Sequence, residues 1–260
     1  MTPKVVEKIE NRKIVSDMLS LDRVWGSEAL MSLNDKYWGL ASWYGYQDYS
    51  HIALALIFKN ITPSPLFLIG EPSGLAYIIR QEIKVENIFV ECPLSCVGVL
   101  KLLYNFDQAS IMNKMQLEHF RPGTIEMNNK IRKLTKADMP KARELFKRNT
   151  EFASFDIDQF ENGIYYGVEE DDKIVSMAGT TVLCMDYRTA TIGNVLTDND
   201  YRHQGYASCA LVHVCQELLD KSFDCVCIKV NRGNSHAINI YRRIGFTKKT
   251  EYFEGLGKKK

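Results

Sequence analysis

The sequence has almost no net charge: 33 lysines and arginines stand against 32 acidic residues, leaving +1 over 260 residues. So balanced a chain has no global field to draw in nucleic acid or an anionic membrane, and any anion must bind at a local site. No apolar run reaches the roughly 18 residues that span a bilayer; the greasiest stretch, His51 to Phe58, is strand-sized. The opening residues, Met1 to Glu10, are too charged for a secretory signal, so the expectation is a cytoplasmic protein. The 7 cysteines are an odd number without a C-x-x-C pair, and the 5 histidines lack metal-ligand spacing. Neither a disulfide framework nor a metal site is expected. What is present is ordinary: 45% hydrophobic and 25% charged residues describe a folded globular chain, not a disordered or fibrous one.

At this length one large domain or two of similar size are expected. The polar stretch Arg121 to Asn129, with its Pro122-Gly123 turn signal, divides the chain into residues 1–125 and 130–260. In the first part, Val5 to Leu33 reads as helical. The aromatic segment from Tyr37 to Tyr49 then marks a groove or a packed surface, and mixed strands and helices run on to Glu118. Leu68-Ile-Gly-Glu-Pro-Ser-Gly74 reads as a tight strand-to-helix turn, because Glu71 would repel a phosphate and Pro72 removes a donor. The second part reads in the order β-α-α-β-β-β-α-β-α-β. It has a helix cap at Thr135, a hairpin around Asp171-Asp172 and a long amphipathic helix over Gln204 to Lys221. The fold class is mixed α/β.

One strand-to-helix passage carries chemistry. Ala190 to Leu196 runs into a turn and then a helix that begins Arg202-His203-Gln204-Gly205-Tyr206-Ala207-Ser208, an R-x-x-G-x-A pattern. A helix start offers unpaired N–H groups and the positive end of a dipole, and small residues let an anion approach the backbone. Arg202 adds a charge-assisted contact. The competing reading is plain: Gly205 and Ala207 packing a helix on a strand, Arg202 solvated in a turn. Downstream, Asn234, Ala237, Tyr241 and Gly245-Phe246 form N-x-x-A-x-x-x-Y-x-x-x-G-F.

With both motifs in this element order, Lys130 to Phe253 resembles the GNAT superfamily of acyl-CoA-dependent N-acyltransferases. The resemblance implies a mostly antiparallel central sheet flanked by helices, with acetyl-CoA as cosubstrate. It also implies that Val195, Leu196 and Thr197 pair with the pantetheine arm and that residues 202–208 hold the pyrophosphate. Asn234 would touch the pantetheine, and Tyr241 would act as general acid toward the departing thiolate. The expected activity is acetyl transfer to a primary amine of a small molecule or peptide by direct attack, with no metal, nucleic acid or membrane. His203 and Ala207 stand where the family often has glycine, and the strand through Asn194 lacks the glutamate that many members use as a base; Asn194 could only orient a water. Glu151, Asp156, Asp158 and Glu161 border the acceptor region, but acidic residues on a helix are more often solvated. Cys225 and Cys227 are expected as buried thiols. The front part is similar to the GNAT-like domain that precedes the catalytic one in glycine N-acyltransferase-like proteins; it would shape the acceptor site or a homodimer contact. Two other readings are a non-catalytic acyl-CoA or metabolite sensor on the same scaffold, and a nucleic-acid binder using Lys258 to Lys260.

Overall fold

The structure, a computed structural model, describes residues 5–48, 52–125, 130–149 and 156–260. They fall into two compact units, one of residues 1–114, 231–233 and 250–260 and one of residues 115–230 and 234–249.

The first unit begins with strand β1 (Val5–Lys8), where a helix was expected. The pairing of Val5–Lys8 with Gln47–Tyr44 overrides a helical pattern that is only four residues deep here. Helices α1 (Arg12–Ser20), α2 (Arg23–Gly26) and α3 (Asp35–Trp38) follow, then strands β2 (Ser42–Gln47), β3 (Ile52–Ile57) and β4 (Ser64–Gly70). Helix α4 (Pro72–Glu82), strand β5 (Asn87–Pro93), helix α5 (Val97–Leu103) and strand β6 (Tyr104–Leu117) complete the run. Neighbours β1 to β4 are antiparallel, whereas β5 lies parallel to β4. The buried part of the aromatic segment is core rather than groove: Tyr44 and Tyr46 pack in one cluster with Leu75, Ile78 and Ile79 of α4, and Trp43, which faces the other side of β2, is 1% exposed, while Tyr37 and Trp38 are half-buried. Tyr49 and His51 lie outside the described residues.

The second unit contains β7 (Ile131–Lys133), α6 (Met139–Asn149), α7 (Ile157–Asn162), β8 (Tyr165–Glu170), β9 (Lys173–Cys184) and β10 (Thr189–Thr197). After these come α8 (Tyr206–Asp220), β11 (Cys225–Asn231), α9 (Ser235–Ile244) and β12 (Phe246–Lys259), of which residues 246–249 belong to this unit and residues 250–259 to the first. This is the order expected from the sequence. Again β7 to β10 are antiparallel and β11 is parallel to β10. The same connectivity therefore occurs twice in the chain. Each unit has a first strand, helices, a three-stranded meander, a helix, a parallel strand, a helix and a last strand.

Local chemistry fixes these elements. Thr135 and Asp138 form a capping box ahead of α6, and Asp138 also takes a two-pronged contact from Arg132 at 2.9 and 2.7 Å. Asp171 and Asp172 both have positive φ, 47° and 62°, as a two-residue hairpin turn requires. The apolar side of α8, with Leu211, Val214 and Leu218, closes over β8 to β10 in the largest core cluster of this unit. All seven cysteines are buried, and Cys225 and Cys227 share one side of β11 with their sulfurs 3.8 Å apart. No helix is long and apolar enough to cross a membrane among the described residues.

Candidate active site

The site is built around the end of β10. Pairing of β10 with β11 runs from Thr189–Cys225 to Ile192–Ile228. Immediately afterwards β10 is irregular: Gly193 faces Gly179 and Leu196 faces Met177, so Asn194 and Val195 together stand opposite Ala178. Asn194 takes the left-handed conformation, φ 50°, that such a bulge demands. Its amide donates to the Tyr165 hydroxyl at 2.9 Å, and that hydroxyl donates to the carbonyl of Thr180 at 3.0 Å. Burial pushes the Tyr165 phenol up to about 12. Asn194 is therefore occupied in fixing the bulge, a role its place in mid-strand gave no hint of.

Beyond the bulge, Ser176 donates to the carbonyl of Leu196 at 3.0 Å, and the N–H of Asp198 donates to Val175 at 2.8 Å. Both point toward β9. Because N–H and C=O directions alternate along a strand, the backbone N–H and C=O of Thr197 point to the opposite edge, while its hydroxyl shares a 2.9 Å hydrogen bond with Ser176. Val195, Leu196 and Thr197 are all half-buried.

The chain then turns through Asn199–Tyr201 to the start of α8. Arg202, His203 and Gln204 are exposed, and His203 has φ 65°. Gly205 is the N-cap, left-handed at φ 75°, and no side chain caps this end of the helix. A Cβ on Gly205 would meet nothing within 4 Å. That observation removes the packing explanation for this glycine. The corresponding turn of the first unit behaves oppositely: a Cβ on Gly70 would lie 2.2 Å from the carbonyl oxygen of Ile52, and one on Gly74 would lie 2.5 Å from the Tyr46 ring. The glycines there serve close approach, as the tight-turn reading requires. In α8, Tyr206 is buried and donates to Glu170 at 2.9 Å, and Ser208 is buried. These side chains face inward, Ala207 is half-buried, and no side-chain cap takes up the first-turn N–H groups.

Helix α9 supplies the remaining residues. Asn234 is its N-cap: the side-chain oxygen accepts from the N–H of Ala237 at 3.0 Å, and the residue is otherwise exposed. Tyr241 lies seven residues on, two turns along the same face. It is 6% exposed with its ring 6.1 Å from that of Phe246. Its hydroxyl has no hydrogen-bond partner among the described residues, and burial pushes the phenol up to about 12. The rings of His203 and His236 are 6.1 Å apart, which brings the turn before α8 to the first residues of α9.

Three of the acidic candidates have local duties. Asp156 caps α7, Asp158 accepts from Asn162, and Glu161 pairs with Lys136. Glu151 lies outside the described residues. Among the described residues no group of three or more potential metal ligands occurs.

An open, uncapped helix start with a glycine that packs against nothing fits a pyrophosphate, and the outward edge of Thr197 fits an extended amide-bearing arm. Residues 129–246 match the model of the acetyltransferase (GNAT) family. The [ribosomal protein bS18]-alanine N-acetyltransferase of Escherichia coli K12 is 28% identical over 126 residues, 47% of this chain and 83% of that protein. A solved Drosophila protein superposes with a TM-score of 0.71 at 10% identity, covering 97% of this chain and 99% of that one. A tandem GNAT protein from the clavulanic acid biosynthesis pathway covers 99% and 98% with a TM-score of 0.59 at 9% identity. At these identities the two structures share the fold.

Proposed function

Because residues 129–246 belong to the GNAT family of acetyltransferases, we propose that the protein transfers an acetyl group from acetyl-CoA to a primary amine of a peptide or small molecule by direct attack. The observation that carries this reading is the N-terminus of α8, where Gly205 is left-handed and a Cβ would enter open space. Bound acetyl-CoA supplies an activated thioester. Residues 202–208 would hold its pyrophosphate on backbone N–H groups with Arg202 at the rim, and Val195, Leu196 and Thr197 would lie along its pantetheine. Asn234 keeps an amide N–H₂ for the same arm.

The neutral amine nitrogen bonds to the acyl carbon, the oxyanion so formed collapses with cleavage of the carbon–sulfur bond, and the nitrogen's surplus proton passes to solvent, from which the Tyr241 phenol is restored. Backbone N–H groups near Leu196 would stabilise the negative oxygen. Tyr241 donates its proton to the departing sulfur. With its phenol near 12 it stays protonated at neutral pH, and its hydroxyl has no competing acceptor among the described residues. The peptide arm of this proposal draws support from the relative named as a [ribosomal protein bS18]-alanine N-acetyltransferase. The doubled connectivity and the full-length likeness to a tandem GNAT protein support reading the first unit as a second GNAT-like module whose turn is closed by Glu71, Pro72 and two packed glycines.

Thermal unfolding with and without acetyl-CoA tests it. A ligand at a hundredfold excess over its dissociation constant stabilises by about 2.7 kcal/mol. A shift in the parent that is absent in Gly205→Glu supports the cradle; no shift in the parent at millimolar acetyl-CoA overturns it.

A further inference from the structure

Helix α6 ends on two adjacent basic residues, Lys147 and Arg148. A helix dipole favours cations in a last turn, and Lys147 needs no other explanation: it stays on its own helix, paired with Glu144 at 3.0 Å. Arg148 reaches off the helix instead. Its Nε donates to the carboxylate of Asp198 at 2.8 Å, and a terminal guanidinium nitrogen donates to the carbonyl of Ile174 at 3.3 Å. The two acceptors lie on either side of one backbone bond, in which the N–H of Asp198 donates to the carbonyl of Val175 at 2.8 Å. One side chain therefore holds β9 and the residue that follows β10 in a fixed relation. Asp198 passes that constraint forward. Its own carbonyl accepts from the N–H of Tyr201 at 2.9 Å, closing the turn Asn199–Tyr201 that delivers the chain to residues 202–208. Tyr201 in turn packs against the buried cluster of Val168, Val175 and Tyr206, the last being the first residue of α8.

We propose that Arg148 is a positioning residue for acetyl-CoA, acting through Asp198 to fix the joint between the strand end at residues 195–197 and the start of α8. The inference rests on the reading of those two places as the pantetheine edge and the pyrophosphate cradle. Its physical content is spacing. A ligand that spans a strand edge and a helix start binds tightly only where the two keep their separation, and a loose joint between them would lose its conformational freedom at the moment of binding. Arginine suits this task better than lysine, because its planar fork engages a carboxylate and a carbonyl at once whereas an ammonium on a flexible stem is a point charge. It also neutralises a carboxylate on the segment that leads into an anion site. As a partly exposed ion pair the contact adds little to global stability, so its loss should fall on ligand binding rather than on the fold.

Two measurements on the whole chain test this: amide hydrogen exchange without ligand, and calorimetric titration with acetyl-CoA. Both are made on the parent, Arg148→Ala, Arg148→Lys and Lys147→Ala, the last removing the neighbouring cation of the same helical turn. In Arg148→Ala, exchange at the N–H groups of Asp198 and Tyr201 should quicken severalfold, with the change confined to the joint and Tm nearly constant. Its dissociation constant for acetyl-CoA should rise about three- to thirtyfold. In steady-state assays KM for acetyl-CoA should rise while kcat at saturation holds, a split that a general loss of structure would not give. Arg148→Lys should fall between, and Lys147→Ala should match the parent throughout. The proposal is overturned if Arg148→Ala binds acetyl-CoA as tightly as the parent, if exchange at Asp198 and Tyr201 is unchanged, or if Lys147→Ala weakens binding as much. A parent that binds no acetyl-CoA sinks the cofactor reading and this proposal together; a parent that binds it no better than Arg148→Ala sinks this proposal alone.

Discussion

Replacing Tyr241 with phenylalanine should move activity and stability in opposite directions. The phenol is buried beside Phe246, its proton is held to about 12, and no described residue accepts from or donates to its oxygen. Removing a positioned general acid lowers a rate by about 10²–10⁴. The ring, which carries the packing, stays. A poorly satisfied buried hydroxyl costs on the order of 1 kcal/mol, so the variant should unfold at the same temperature or a few degrees higher. Steady-state kinetics with acetyl-CoA and an amine panel, alongside calorimetry, measures both. The expected outcome is a fall in kcat of two to four decades, KM for acetyl-CoA nearly constant and Tm not reduced. Because the phenol titrates far above neutrality, the parent rate should show no loss attributable to this group between neutral pH and about pH 10. An unchanged kcat would refute the general-acid role. A Tm lowered by several degrees would refute the claim that the hydroxyl is unpartnered.

Three further outcomes follow from the geometry. Asp138→Ala should destabilise by about 1–3 kcal/mol through loss of the capping box and the Arg132 fork. Since Asp138 is held below the carboxylate range by Arg132, its contribution is full above pH 4 and is lost as pH falls below the ordinary aspartate value, so acid-unfolding curves of parent and variant should converge there. Gly70→Ala should lower Tm markedly because its Cβ would meet the Ile52 carbonyl oxygen at 2.2 Å. Gly205→Ala has no such clash and should cost only the roughly 1–2 kcal/mol of a left-handed non-glycine residue. Asn194→Gly keeps the bulge conformation and loses only the bond to Tyr165, so it should reduce kcat less than Asn194→Val, which loses both; equal losses would remove Asn194 from the positioning of β10.

The second unit was legible because its signals are local. A capping box at Thr135, paired aspartates in a hairpin turn, the apolar stripe of α8 and two spaced motifs each depend on neighbours in sequence, and element order follows from them. The first unit resisted where contacts at long range decide. Val5–Lys8 is a strand only because Tyr44–Gln47 lies beside it, and the aromatic run could not be divided into core and surface without knowing what α4 covers. In the site, the glycine and the asparagine cap were visible as motif positions. The bulge at Asn194, its anchor on Tyr165 and the approach of His203 to His236 were not, because each joins residues with no periodic relation in the chain.

The composition of the first unit has a consequence for synthesis. Its strand β5 pairs on one side with β4 and on the other with residues Tyr252–Lys258. Those residues are translated after the whole of the second unit, on the order of ten seconds later at ordinary elongation rates. During that interval the outer edge of β5 emerges with its ladder unfilled, the condition under which nascent sheets recruit the wrong strand. Ribosome-bound chains halted before residue 250 should therefore be the species that chaperones hold, and release of that grip should coincide with arrival of the last strand rather than with completion of the catalytic fold.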